Sequence, residues 1–179
     1  RALCDAFYGG LSAYILALET GAPELVEQAR GKLTKGLESA ARLNMVPQWW
    51  CFRIAIHLLD DLWKSSFHEV LPPDVLGEDR ASWIELRSLF LSSLFRRKRS
   101  EIELWPSQIE GARRSVDVTD NLVVSLPTSA GKTRIAELCI LRCLSQGKRI
   151  VFVTPLRALS AQTEASLRRT FGPLGKTIS

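Results

Sequence analysis

A short loop between two kinds of hydrophobic pattern constrains this 179-residue chain more than any other feature. The loop reads Leu126-Pro-Thr-Ser-Ala-Gly-Lys-Thr133. Residues 121–126, which lead into it, form a β-branched run, and residues 133–145, which follow it, have the 3.6-residue period of a helix. A second β-branched run, residues 149–154, comes next. This order of strand, loop, helix and strand predicts a βαβ unit with neighbouring parallel strands, and therefore an α/β fold class.

The earlier part of the chain has a helical pattern throughout. We predict a first helix that ends before Gly21, and further helices over about residues 23–44, 48–65 and 80–97. The third of these is apolar on nearly all sides, which predicts that it is buried. We therefore divide the chain into an all-α N-terminal region, residues 1–99, and an α/β region, residues 100–179.

Composition and charge exclude several classes of protein. With 46% apolar residues the chain is not a disordered tail, and no run approaches the ~18 consecutive apolar residues of a membrane span, so we expect no membrane partner. The net charge is +5, and most of it lies after residue 100. The four cysteines form no CxxC pair of the kind that binds zinc, which favours a reducing, cytoplasmic setting.

The loop has the residues that nucleotide phosphates require. Backbone N–H groups around the phosphates, a lysine for the β- and γ-phosphates and a hydroxyl for Mg²⁺ are needed at the start of a helix. Lys132 and Thr133 are therefore the candidate catalytic residues, with Thr133 as the Mg²⁺ ligand. The candidate nucleotide-binding residues of the loop are Thr128, Ser129, Ala130, Gly131, Lys132 and Thr133. The alternative is a surface loop that contains Gly-Lys-Thr by chance.

Two of the chain's motifs resemble nucleotide-binding motifs of helicases. The run from Pro127 to Thr133 resembles the A-P-T-G-x-G-K-T motif of superfamily-two helicases, with Ser129 in the place of the usual glycine. Upstream, Leu104-Trp-Pro-Ser-Gln-Ile-Glu-Gly-Ala112 resembles the adenine-recognition motif of DEAD-box and DExH-box helicases. That resemblance implies that the Gln108 amide reads the adenine edge, and Trp105 packs either on the base or in the core. A helix-capping or surface role is the alternative for Gln108.

A third motif follows the second β-branched run. Thr154-Pro-Leu-Arg-Ala-Leu-Ser-Ala-Gln162 resembles the helicase motif that contacts the phosphodiester backbone of the bound strand. The resemblance implies that Pro155 and Arg157 bind nucleic acid, since a guanidinium donates paired N–H groups to a phosphate. The alternative is a buried arginine that only orders the loop. The nearby cluster of residues 96–99 is either a solvated linker or a further phosphate contact.

Together the three motifs resemble the first half of the first motor domain of a superfamily-two DExH-box helicase. This implies a partial RecA-like parallel sheet, cut before the acidic metal-binding strand, in an ATP-dependent helicase or translocase that uses ATP and Mg²⁺. Single-stranded nucleic acid is the implied partner, with DNA favoured over RNA. The residues of the motifs favour the branch of repair helicases and exosome-associated helicases. The full protein is then an ATPase, whereas this segment alone is expected to be inactive.

Three other interpretations are compatible with parts of the pattern. A nucleotide-gated scaffold would bind ATP and a protein partner through the helical region without unwinding anything. An RNA helicase would share the same motifs. A small-molecule kinase would use the phosphate loop, but it leaves the motifs around Gln108 and Arg157 unexplained.

Overall fold

The computed structural model describes residues 1–127 and 131–178, and the described residues fold mainly into helices. The chain divides into two compact units, Arg1–Ser66 and Phe67–Ser179. The described helices of unit 1 are α1 (Ala2–Thr20), α2 (Pro23–Arg42) and α3 (Val46–Ser65). Those of unit 2 are α4 (Phe67–Val70), α5 (Arg80–Phe95), α6 (Pro106–Arg114), α7 (Lys132–Ser145) and α8 (Arg157–Phe171). A 3₁₀ turn, Gly172–Leu174, follows α8. Our division at residue 99 stays a prediction about domains.

Local sequence chemistry sets the boundary between α1 and α2. Gly21 adopts the left-handed conformation with φ 75°, and its N–H donates to the Ala17 carbonyl at 2.7 Å. Glycine takes this conformation without steric cost, which ends α1. Pro23 then begins α2, because its missing N–H is not needed in the first turn. The predicted helices of this region are confirmed.

Unit 1 packs its three helices around a small aromatic core. Leu33, Ala40 and Phe52 are buried, and the rings of Phe7 and Phe52 meet edge to face with their centroids 5.4 Å apart. Gly36 allows this packing because a Cβ there would lie 2.3 Å from the Phe52 ring. The backbone of α2 therefore approaches α3 more closely than a side chain would permit.

Replacing Gly36 with alanine is expected to destabilise the protein by about 1–3 kcal/mol, because the added methyl overpacks the Phe52 ring. Gly31 on the same helix is a matched control, since a Cβ there meets nothing within 4 Å. Gly31→Ala is expected to stabilise the protein by about 0.5–1 kcal/mol through helix propensity. Urea unfolding monitored by tryptophan fluorescence measures both variants. Equal effects of the two substitutions would contradict the packing explanation.

Helix α3 is less buried than its sequence predicts. Phe52 is its buried residue, whereas Trp50, Ile54 and Leu58 are about half exposed or more. The prediction of all-round burial was therefore wrong: apolarity on every side does not supply packing partners on every side. Among the described helices, none combines the length and apolarity needed to cross a membrane.

Unit 2 has a larger core built from α5, α7 and α8. Trp83, Phe90 and Leu94 of α5 are fully buried, and Phe90 stacks on Phe171 of α8 with ring centroids 6.0 Å apart. Arg142 of α7 is also buried, where its guanidinium lies over the Trp83 ring and pairs with Asp79. This pairing fixes the start of α5 against α7, and it holds the pKa of the Asp79 carboxyl below its usual range.

The predicted α/β fold class, with its partial RecA-like parallel sheet, is contradicted by the structure. In the part of the chain that the structure describes, neither residues 121–126 nor residues 149–154 form a strand, and no main-chain hydrogen bond joins them. Val123, Val151 and Val153 are each more than 80% exposed. A β-branched run tolerates extended backbone, but a strand forms only where a neighbour pairs with its N–H and C=O groups. The prediction assumed that pairing from chain order alone.

A candidate nucleotide site at the start of helix α7

Gln108 holds the start of α6 and reaches the phosphate loop. Trp105 caps this helix in an extended conformation, and its N–H donates to Gln108 Oε1 at 2.8 Å. Gln108 Nε2 donates to the Gly131 carbonyl at 3.2 Å. The Gln108 side chain is only 7% exposed. The helix-capping interpretation therefore describes the contact of Gln108 with Trp105. The contact with Gly131 is additional, and it joins two residues that are 23 positions apart in sequence.

Gly131 occupies a position that only glycine fits. Its φ is 80°, in the left-handed region, and a Cβ there would lie 1.7 Å from Gln108 Nε2. The absent side chain thus leaves room for both the turn and the Gln108 amide. The predicted loop residues Thr128, Ser129 and Ala130 lie outside the described residues.

Lys132 and Thr133 are the first two residues of α7, and both are exposed. Lys132 Nζ donates to the Leu126 carbonyl at 2.7 Å, so the ammonium group lies beside the loop. The first N–H groups of a helix have no acceptor within the helix, and the helix dipole makes this end favourable for anions. The arrangement can therefore bind phosphate oxygens through backbone N–H groups and the lysine.

A cavity of about 560 Å³ adjoins the start of α7. Trp105, Gln108, Gly131 and Thr133 contribute to its walls, so it brings together the two predicted nucleotide-binding motifs. The Trp105 side chain is 63% exposed, whereas the neighbouring Leu104 is buried in the core. Of these two residues, Trp105 is the one available to a bound base.

A network of charged and polar side chains, most of which line the same cavity, was missed by the sequence reasoning. We call it the polar ring, and its members are Arg97, Glu101, Arg134, Glu137 and Thr170. The sequence predicts that the cluster at residues 96–99 is a solvated linker or a phosphate contact. In the structure, Arg97 instead donates to Glu101 at 2.6 Å and to Thr170 at 3.1 Å. The i, i+4 spacing of Arg97 and Glu101 is the sequence signal that was available.

Neither Pro155 nor Arg157 contributes to the walls of the cavity. Arg157 is the first residue of α8 and is exposed, which excludes the alternative of a buried arginine. Nearby, the hydroxyl groups of Thr154 and Ser160 lie 2.5 Å apart across the helix start. Among the described residues there is no group of three or more His, Cys, Asp or Glu side chains that would hold a metal ion.

Comparison with known proteins shows that this part of the chain is similar to a known family. Residues 106–179 match the family model described as DEAD/DEAH box helicase, and the match begins at the first residue of α6. This segment is therefore similar to superfamily-two helicases. The resemblance inferred from the motifs is confirmed, whereas the branch within the superfamily stays a prediction.

Three relatives indicate how the similarity is distributed. The Hachiman protein HamB of Bacillus cereus is 28% identical over 165 residues, which is 90% of this chain and 14% of that protein. The ATP-dependent DNA helicase Hel308 of Pyrococcus abyssi is 40% identical over 67 residues, 37% of this chain and 9% of that helicase. The chloroplastic DExH-box ATP-dependent RNA helicase DExH15 of Arabidopsis thaliana is 48% identical over 52 residues, which is 29% of this chain and 4% of that helicase.

The chain spans at most 14% of the length of these relatives. The segment that matches the family model includes Gln108, Gly131, Lys132, Thr133 and Arg157. The similarity to HamB extends over most of the chain, unlike the shorter matches to the other two proteins.

Proposed function

We propose that the protein is an ATP-dependent helicase or translocase that acts on DNA. The observation that carries this proposal is the match of residues 106–179 to the DEAD/DEAH box helicase family. The hydrogen bond from Gln108 to Gly131 supports it, because it brings the proposed adenine-reading residue to the start of the phosphate loop helix. DNA is favoured because relatives named as DNA helicases are similar to this segment.

The phosphates of ATP would bind at the start of α7. Gly131 leaves the space that a Cβ would fill, and the backbone N–H groups of Lys132 and Thr133, in the first turn of α7, would donate to the anion. Lys132 would exchange its hydrogen bond with the Leu126 carbonyl for the β- and γ-phosphate oxygens. The exposed hydroxyl of Thr133 is the oxygen that this segment offers to Mg²⁺. When bound, Mg²⁺ neutralises charge that develops on the phosphates.

Gln108 keeps free hydrogen-bonding capacity for adenine. An amide has two N–H donors and two acceptor lone pairs, and its contacts with Trp105 and Gly131 use one of each. The remaining donor and acceptor match an adenine edge, which offers both groups in one plane. The exposed Trp105 indole provides an apolar surface on which the base can stack.

Arg157 and Pro155 would contact the backbone of the bound strand. The exposed guanidinium of Arg157 lies at the start of α8, where helix N–H groups also favour phosphate. Such contacts do not read the base sequence, so binding is expected to be salt-sensitive and largely sequence-independent. The helical N-terminal region is proposed as a surface for a protein partner.

Arg157→Ala is expected to weaken single-stranded DNA binding by a similar factor for all sequences, and to lower the slope of log affinity against log salt by about 1. Arg168→Ala on the same helix is the matched control, because Arg168 is exposed and paired with Glu164. Fluorescence anisotropy over a salt series measures both variants. An unchanged salt slope for Arg157→Ala would exclude the phosphate contact.

ATP turnover tests the proposed function directly. The full-length protein is assayed with Mg²⁺ alone, with single-stranded DNA and with single-stranded RNA. Faster turnover with DNA than with RNA is the expected result. Stimulation by RNA alone would replace the DNA proposal with an RNA helicase. ATP binding without stimulation by either polymer would favour the nucleotide-gated scaffold.

A further inference from the structure

The polar ring links the two segments that carry the proposed nucleotide-binding residues. Glu101 lies seven residues before Gln108, and Arg134 directly follows Thr133. One carboxylate oxygen of Glu101 accepts from Arg97, and the other accepts from Arg134. The contact between Glu101 and Arg134 therefore ties the chain before α6 to the first turn of α7.

Arg134 is held from several sides. Its guanidinium pairs with Glu101 and Glu137 and lies 5.8 Å from the centre of the Phe67 ring. The Arg134 side chain is only 14% exposed, and burial lowers the pKa of its guanidinium. A buried cation that loses one of its carboxylates is poorly solvated, so the surrounding chain must shift to accommodate it.

The ring closes through α8. Thr170, which is fully buried, donates to Glu137 at 2.9 Å and accepts from Arg97 at 3.1 Å. Glu137 is therefore committed to Arg134 and Thr170, and Arg97 to Glu101 and Thr170. Each carboxylate therefore has two partners within the ring. These two contacts restrict the conformations of the Glu101 side chain more than those of an unpaired surface glutamate.

We infer that Glu101 is a positioning residue of the nucleotide site, which acts through Arg134 to hold Gln108 in register with the start of α7 and so sets the preference for adenine. The 3.2 Å contact between Gln108 and Gly131 is the second link between the same two segments. A shift of the chain before α6 would misplace the Gln108 amide relative to a base while leaving Lys132 and Thr133 on their helix. This inference rests on the proposed function.

The test compares Glu101→Gln with Glu164→Gln in the full-length protein. Both substitutions remove one carboxylate charge from an ion pair with arginine, but Glu164 pairs on the exposed face of α8. The KM and kcat for ATP and for GTP are measured with Mg²⁺ and DNA. Glu101→Gln is expected to raise the KM for ATP about tenfold and to reduce the ATP-over-GTP ratio of kcat/KM at least about fivefold, with kcat changed less.

Arg134→Lys and the double variant Glu101→Gln/Arg134→Lys separate an effect on the position of Gln108 from an effect on protein stability. Lysine keeps the charge of Arg134 but cannot bridge two carboxylates as a planar guanidinium does. If both residues act through one ion pair, the double variant is expected to have nearly the same ATP-over-GTP ratio as Glu101→Gln alone. Assays run well below the melting temperature of each variant, so that loss of folded protein does not contribute.

The results that would overturn the inference about Glu101 differ from the result that would overturn the proposed function. If Glu101→Gln lowers the melting temperature but leaves the ATP-over-GTP ratio like that of Glu164→Gln, Glu101 is only structural and the inference is wrong. Independent, additive effects of the two ring substitutions on that ratio would also overturn it. If the unsubstituted protein neither hydrolyses ATP nor prefers it to GTP, the proposed function fails, and that result is visible before any variant is examined.

Discussion

Replacing Lys132 with alanine is expected to lower ATP turnover by the full-length protein by about a hundredfold or more. The lysine ammonium would stabilise negative charge on the β- and γ-phosphates in the transition state, and alanine cannot replace it. Stability should change little, because Lys132 is exposed and its ammonium group donates to the Leu126 carbonyl in an exposed hydrogen bond rather than into the core. Steady-state ATPase assays and a thermal melt measure the two effects.

Lys148→Ala is the matched control for this substitution. Lys148 is also exposed and follows the other end of α7, away from the proposed phosphate site. Its removal changes the net charge equally and should leave turnover within about twofold, since long-range surface charge is screened by salt. Equal activity of the two variants would remove Lys132 from the catalytic role.

Gly131→Ala is expected to weaken ATP binding about a hundredfold and to destabilise the protein by more than about 1 kcal/mol. Two costs combine at this position. The left-handed φ of 80° is unfavourable for alanine, and the new Cβ would lie 1.7 Å from Gln108 Nε2. Because the Gln108 amide must move away, the substitution breaks the contact that joins the two nucleotide-binding motifs.

Gly147→Ala separates these two costs. Gly147 also has a left-handed φ, 69°, but a Cβ there meets nothing within 4 Å. It is therefore expected to lose about 1 kcal/mol of stability from backbone strain alone and to bind ATP normally. Titration with a fluorescent ATP analogue and urea unfolding measure both variants. Normal ATP affinity in Gly131→Ala would show that the contact with Gln108 does not matter for the nucleotide.

The sequence predicted the helices well because their causes are local. Gly21 and Pro23 set the end of α1 and the start of α2 through the conformations of single residues. The period of apolar residues predicted α5 and α7 because a helix repeats its buried face every three or four positions. These signals act within one or two turns and need no knowledge of the rest of the chain.

The same local reasoning was wrong about the sheet, which the described residues do not form. A β-branched run indicates which backbone conformation is tolerated, but the pairing of residues 121–126 with residues 149–154 depends on hydrogen bonds between distant segments. The described residues contain no such pairing. The exposure of Trp50 on α3 is a similar case, because burial requires a partner surface that composition does not specify.

For the candidate site, the sequence determined which residues can carry the chemistry: Lys132 and Thr133 follow Gly131 at the start of a helix, where phosphate is favoured by the backbone itself. Only the tertiary structure decided what surrounds them. The contacts of Gln108 with Gly131 and of Glu101 with Arg134 join residues 23 and 33 positions apart. Such contacts depend on how whole helices pack, which a local pattern does not encode. Helix caps and the helical period, in contrast, depend on residues that are close together in the sequence.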